Sequence, residues 1–304
     1  HLSLRRQRQM CIRDRLKDPH IDTNIKGDLD LTTLKKKFPI AKEIETKGLA
    51  HIDINAVFKS NEVMDGKYND MKVKGNSVFT NLIVNDPKDT IYLNTKKTEL
   101  VFGRKAEDDA NRKAFGKITA TDLTLKYKNQ HNVTLAGLNV KLRAKLQKDS
   151  LPKMAAEISL KNLKYNGVQK IRAVIRKASI TAELSPRSTK DRPAISTTFT
   201  VDSAGVWQDK KFVGIKNGNY KLLVRKNRDD IWMPRGVVEF NNLYAFTPEF
   251  AMPLRMEHSA ITVNNRAITL KNAHLFFGNS DVTLSGKINN ILAKKSPDKK
   301  VDAT

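Results

Sequence analysis

Five times the chain repeats one phrase: apolar, any, apolar, any, a small polar residue or glycine, apolar, any, apolar. It runs through Ile118, Ala120, Asp122, Leu123 and Leu125, and again through Ile158, Leu160, Asn162, Leu163 and Tyr165. Val133, Leu135, Gly137, Leu138 and Val140 follow it, as do Val238, Phe240, Asn242, Leu243 and Ala245, and Ile268, Leu270, Asn272, Ala273 and Leu275. Alternation at period two predicts a half-buried strand. The alternation shifts by one residue at each central position. A bulge or kink produces that shift, and Asp, Asn and Gly best tolerate the left-handed backbone it needs. The pivots Asp122, Gly137, Asn162, Asn242 and Asn272 are therefore expected to mark bends that keep one apolar face buried along a curved strand.

The same alternation extends over most of the chain. Strands are expected at 24–31, 51–58, 71–75, 78–84, 91–102, 117–128, 132–146, 155–165 and 168–184. They resume at 195–202, 205–215, 219–225, 235–246, 259–263, 266–277 and 280–289. Leu31 to Phe38 has room for two helical turns before Pro39, and Arg104 to Phe115 reads as a charged loop. Several strands reach ten residues or more, roughly 30 Å at about 3.3 Å per residue, longer than compact sandwiches use. The expected fold class is mainly β: an elongated, curled antiparallel sheet forming a groove, with few short helices. A lipid-facing barrel would need aromatic girdles, and two Trp and six Tyr do not supply them.

Arg6 to Arg15 back-translates to a string resembling a transposase sequencing adapter. Residues 1–15 are set aside on that ground rather than read as a basic arm. The expectation is then a piece of a longer protein. Its parts are a repeated β-groove region at 16–185, a second β region at 194–292, and a polar tail at 293–304. Pro186 to Pro193 is the candidate boundary.

Composition sharpens this picture. The first fifteen residues carry five Arg and one Asp, so the formal charge falls from +24 to +20 (24 − 4) over the remaining 289 (304 − 15). Cys11, the sole cysteine, goes with them, which leaves no disulfide or thiolate-held metal. Such a charge invites nucleic acid. The basic residues of Leu138–Leu146, however, alternate one-for-one with apolar ones, which marks the solvated face of a sheet. The stacking aromatics of a single-strand binder are lacking. With 39% hydrophobic residues the chain suits a repeat that buries one strand face better than a compact globule.

No catalytic constellation stands out. The six histidines are unpaired at metal-ligand spacing, and no HExxH, GxSxG, Walker or dinucleotide motif occurs, so no cofactor is expected. Asp108-Asp109 and Asp229-Asp230 read as solvated turn residues. The segment from Trp232 through Phe250 to Leu254, rich in proline and aromatics, reads as a structural corner, with a gate at the mouth of a groove as the alternative.

Met233 to Asn290 resembles the C-terminal region of AsmA-like proteins of the Bacteroidetes type. The resemblance is carried by Pro234-Arg235-Gly236, Phe246-Thr247-Pro248-Glu249-Phe250, Ala267 to Ala273, Gly278-Asn279-Ser280-Asp281-Val282 and Leu284 to Asn290. Residues 25–58 look more loosely like the family's repeated central part. The resemblance implies a non-enzymatic envelope protein of a Gram-negative bacterium, held in the inner membrane by an N-terminal helix. Its periplasmic body would be a β-groove similar to that of bridge-type lipid-transfer proteins. Phospholipid, or another acyl-chain lipid, is then the expected partner, carried between inner and outer membranes. The runner-up is an assembly factor for the outer membrane that carries no lipid. Leu138, Val140, Leu142, Ile268, Leu270, Val282 and Leu284 are the candidate groove lining, although a closed core would use the same residues. A polymer-processing enzyme would instead need a carboxylate cluster on a sheet face.

Overall fold

The computed structural model describes residues 19–33, 44–65, 71–103, 113–145, 153–189, 191–227, 231–250 and 252–289. Fourteen strands form one antiparallel sheet whose spatial order is the chain order. They are β1 (His20–Asp30), β2 (Glu45–Lys59), β3 (Lys72–Asp86), β4 (Ile91–Gly103), β5 (Lys113–Tyr127), β6 (His131–Lys145) and β7 (Lys153–Asn166). Next come β8 (Ile171–Leu184), β9 (Ala194–Gln208), β10 (Lys211–Lys226), β11 (Trp232–Phe246), β12 (Leu254–Asn264), β13 (Ala267–Phe277) and β14 (Ser280–Ile288). A short helix, α1 (Ser60–Met64), follows β2, and Val168–Lys170, expected within a strand, form a 3-10 turn before β8. The mainly β, groove-like sheet expected from sequence is the fold, and it does not close into a barrel.

Tight turns build this meander. Asp209 and Asn265 take left-handed angles (φ 50 and 56) in two-residue turns, and Lys128 and Asn129 do so between β5 and β6. Such turns match the twist of the strands they join. Each strand packs substantially only on its neighbours in sequence, so the sheet is a single layer.

Several sequence boundaries require correction. The stretches 71–75 and 78–84 belong to one strand, β3, which runs through Gly75-Asn76 without turning. Gly75 lies flat against β2, where a Cβ would meet Asp53 O at 2.7 Å. The pairs 195–202 with 205–215 and 205–215 with 219–225 likewise reassemble into β9 and β10. Asn217-Gly218, with the sequence look of a turn, is a bend inside β10. Residues 113–115, expected in a loop, begin β5. Helical residues 31–33 are the described part of the expected helix, and the tail at 293–304 lies outside the described residues, as do 1–18. The sheet runs without interruption past 186–193, because β8 and β9 pair from Leu184–Ile195 to Ile171–Gln208.

A line of bends crosses the sheet at one level. Gly137 in β6, Lys177 in β8 and Asn217 in β10 have φ of 63, 47 and 48. They stand 40 residues apart (177 − 137 and 217 − 177). Gly48 and Asn81 (φ 116 and 51) begin the line in β2 and β3, and Asn272 (φ 47) continues it in β13. Strand register slips by one residue at two places along it, between Lys47 and Leu49 and between Leu270 and Ala273. Elsewhere both partners of a pair shift phase together, so register is kept while the ladder skips a few bonds.

Burial identifies the inner side of the bend. Of the ten buried apolar residues among those described, nine (Ala50, Ala56, Ala120, Ala178, Val201, Phe240, Met256, Ala273 and Leu275) share one face, Ala194 being the exception. In a single layer with no covering element among the described residues, one-sided burial fits a sheet that curls over that face.

Candidate functional site

The inner face is built from rows of side chains that cross the whole sheet. Val140 lies opposite Ile118 and Ile158. The row continues through Ile180, Phe199, Tyr220, Val238 and Ile261 to Leu270. In the other direction it passes Leu100, Ser77 and Ile52 to reach Gly27. The neighbouring row holds Leu142 beside Gly116 and Ala156, and ends at Ile268 and Ile288. Neither row contains a charged side chain. Beyond the bend a third row runs from Val84 and Leu93 through Leu125, Val133, Val206 and Val213 to Leu254 and Phe277.

The one-residue phase shift keeps these rows on one side. Leu135 precedes Gly137 on the apolar face and Leu138 follows it, a change of parity that would otherwise send half of each strand's apolar residues outward. Asn272 also takes the left-handed conformation, at the slipped register. Asp122, Asn162 and Asn242 do not. They stand beside interruptions in the ladder, next to unpaired Thr121, Lys161 and Asn241 respectively. Asp122 Oδ1 accepts from the Lys96 amide at 2.9 Å, while the Oδ1 of Asn162 is buried without a partner.

The seven candidate lining residues fall on this face but not in one environment. Leu138, Val140 and Leu142 are central, with Leu142 47% exposed. Leu270 packs against a small closed cluster of Phe240, Met256, Ala273 and Leu275, and its row neighbour Ile261 does the same. Val282 and Leu284, on β14, are half exposed. The bottom of the face between β5 and β9 is hollowed where the small residues Gly116, Ala144, Ala156 and Ala182 meet. That depression has a volume of about 520 Å³ and is walled by Leu142, Met154, Leu184 and Ile195.

The outer face carries charged pairs. Lys141 and Arg143 both pair with Glu157 there, and Lys26 pairs with Asp53 at 3.0 Å. Among the described residues, two carboxyl groups have a displaced affinity for protons. The Thr33 hydroxyl and the Thr32 amide hold Asp30 below the usual aspartate range. A hydrogen bond from Lys211, at 2.8 Å, does the same for Glu249. Both are fully solvated and locally explained. Among the described residues no three His, Cys, Asp or Glu side chains converge as a metal site would require. Asp108-Asp109 and Asp229-Asp230 lie outside the described residues. The proline-rich segment is placed with Trp232 to Phe246 as β11 and Phe246 to Phe250 leading into the turn before β12.

Sequence reading missed Lys177, Asn217 and Asn81 as bend residues. The available signal was the 40-residue spacing of 137, 177 and 217, repeated between 122 and 162 and doubled between 162 and 242. No family model, curated protein or solved structure matches the chain.

Proposed function

We propose that this chain is a non-enzymatic lipid-binding segment whose inner face shields phospholipid acyl chains, as its resemblance to AsmA-like envelope proteins implies. The observation that carries the reading is the pair of uncharged rows, each crossing fourteen strands, with no second layer covering them among the described residues. Water against such a face is unfavourable, and each methylene transferred onto it gains about 0.8 kcal/mol. Because apolar burial is non-directional, a chain can shift along the rows without leaving a specific site. Sliding of that kind suits carriage between two membranes of a bacterial envelope. The hollow at Gly116, Ala156 and Ala182 gives a bent or branched chain room to settle.

The test is a photo-crosslinking residue at Val140 or Leu142, with lipid extraction and mass spectrometry of the purified protein. Acyl chains captured at both positions, and none at Lys141 on the opposite face, are the expected result. A protein that co-purifies with no phospholipid and captures no acyl chain defeats the reading and leaves the outer-membrane assembly scaffold in its place.

A further inference from the structure

On the outer face, away from the apolar rows, β9 and β10 form a second concavity. Gly205 and Gly214 lie opposite each other, both buried beneath the protein's own aromatic rings, with Phe212 2.6 Å from where a Cβ on Gly214 would stand. One wall is aromatic: Trp207 and Phe212 pair in the next row with ring centroids 4.8 Å apart, and Tyr244 stands 6.0 Å from Phe212. The rings lean over the glycines, where a Cβ on Gly205 would meet Trp207 at 2.9 Å. The other wall is cationic. Arg176 and Lys216 lie on either side of Ser203, one strand away each, about 10 Å apart in the backbone. Neither cation has an ion-pair or hydrogen-bond partner among the described residues, whereas Arg255 nearby is held by Glu257 at 3.1 Å. The concavity has a volume of about 580 Å³.

We propose that this trough is a binding site for an anionic sugar, a single ring bearing a phosphate or carboxylate. The glycines let the Trp207 and Phe212 rings lie close to the sheet, and that aromatic wall offers faces on which the C–H side of a sugar stacks. The charge on the ligand answers the two unpaired cations. The hydroxyl of Ser203 and the amide of Asn242, both at the rim, meet sugar hydroxyls. An acyl chain is a poor match to a wall that is half cationic, so the site is independent of the inner face and of the reading given above.

The protein has two tryptophans, and Trp232 lies at the far end of β11 from Tyr244, so Trp232→Phe leaves Trp207 as the sole reporter. Glucose 6-phosphate is expected to change its emission saturably, with glucose and inorganic phosphate each binding more weakly. The double variant Arg176→Gln/Lys216→Gln, its fold checked by circular dichroism, is expected to weaken glucose 6-phosphate about tenfold and leave glucose unchanged. Phosphatidylcholine vesicles containing phosphatidylinositol 4-phosphate separate the sources. Tighter binding there assigns a glycolipid headgroup, and equal or weaker binding assigns a free sugar. The proposal is overturned if emission never saturates, if phosphate alone binds as tightly as the sugar phosphate, if the double variant binds glucose 6-phosphate normally, or if an oligoglutamate peptide binds more tightly than the sugar phosphate.

Discussion

The Lys96 amide donates to Oδ1 of Asp122 at 2.9 Å, in a stretch where β4 and β5 exchange no ladder bonds. Beside it the buried hydroxyl of Thr95 donates to the Asp122 carbonyl at 2.6 Å. A bend that changes the phase of a strand must break backbone pairing for a residue or two, and the orphaned groups need partners. The acidic side chain is one such partner. The same exchange recurs at the far edge, where the Asn272 amide donates to Ser285 Oγ at 2.8 Å. Side chains thus complete the ladder where the inner face requires it to be interrupted.

Replacing Asp122 with Ala removes the acceptor for Lys96 and is expected to cost about 1–2 kcal/mol, by analogy with the loss of a helix cap. Asp122→Asn keeps an acceptor oxygen and should lose less. Urea unfolding read by circular dichroism checks the order. Equal losses would mean that the charge, and not the hydrogen bond, stabilises the bend.

Opposite signs are expected from two substitutions on the bend line. Gly137→Ala forces a Cβ onto a left-handed backbone and should lower stability by about 1 kcal/mol. Lys177→Gly relieves that strain at an equivalent position and should raise it by about 0.5 kcal/mol, the difference between strain relieved and chain entropy added. Unfolding midpoints measured side by side decide this. A fall in both variants would contradict the shared role.

Closed core and open face should separate by energy. Phe240, 3% exposed within its cluster, is expected to lose about 3–5 kcal/mol on truncation to Ala. Leu142, nearly half exposed, should lose less than about 1 kcal/mol, because little packing is removed. Leu142→Ala should nonetheless reduce lipid captured from a crosslinker at Val140. A large stability loss at Leu142 would place it in a core.

Glu249 should titrate below the ordinary glutamate range because Lys211 stabilises its ionised form. A lowered pKa in the folded state means the contact contributes fully above the ordinary glutamate pKa. It is lost as pH falls through the lowered one. Nuclear magnetic resonance of the Glu249 side chain across that acid range should show the shift, and Lys211→Met should abolish it. An unchanged titration in the variant would assign the shift to the turn backbone instead.

The legible part of the fold was its periodicity. Lys141, Arg143 and Lys145 alternate with Val140, Leu142 and Ala144, and they lie outward and inward as alternation requires. Gly137 and Asn272 are residue types that accept left-handed angles, and both have them. Lys177 has the same conformation with a side chain that gives no hint of it, since lysine is not a residue expected there. Its backbone follows from position. Arg176 and Ala178 pair across β7 with Asn162 and Leu160, so the bend in one strand fixes the bend in the next. The break expected between 215 and 219 is the opposite case: the chain kinks there and the strand continues, because local sequence cannot tell a reversal from a kink.

The sequence by itself determined that long strands alternate, that one side of each is apolar, and that the alternation slips at small polar residues. Those are properties of a chain with period two and need no partner. Tertiary structure alone decided that the slips fall at one level across neighbouring strands and that burial gathers on one face. Whether Leu142 lines an open surface while Phe240 closes a core was also decided there. Hydrogen-bonded register is the physical reason: it couples each strand's bend to its neighbours, and no single strand contains it. The trough of Gly205, Gly214, Trp207 and Phe212 likewise exists only once β9 and β10 are paired.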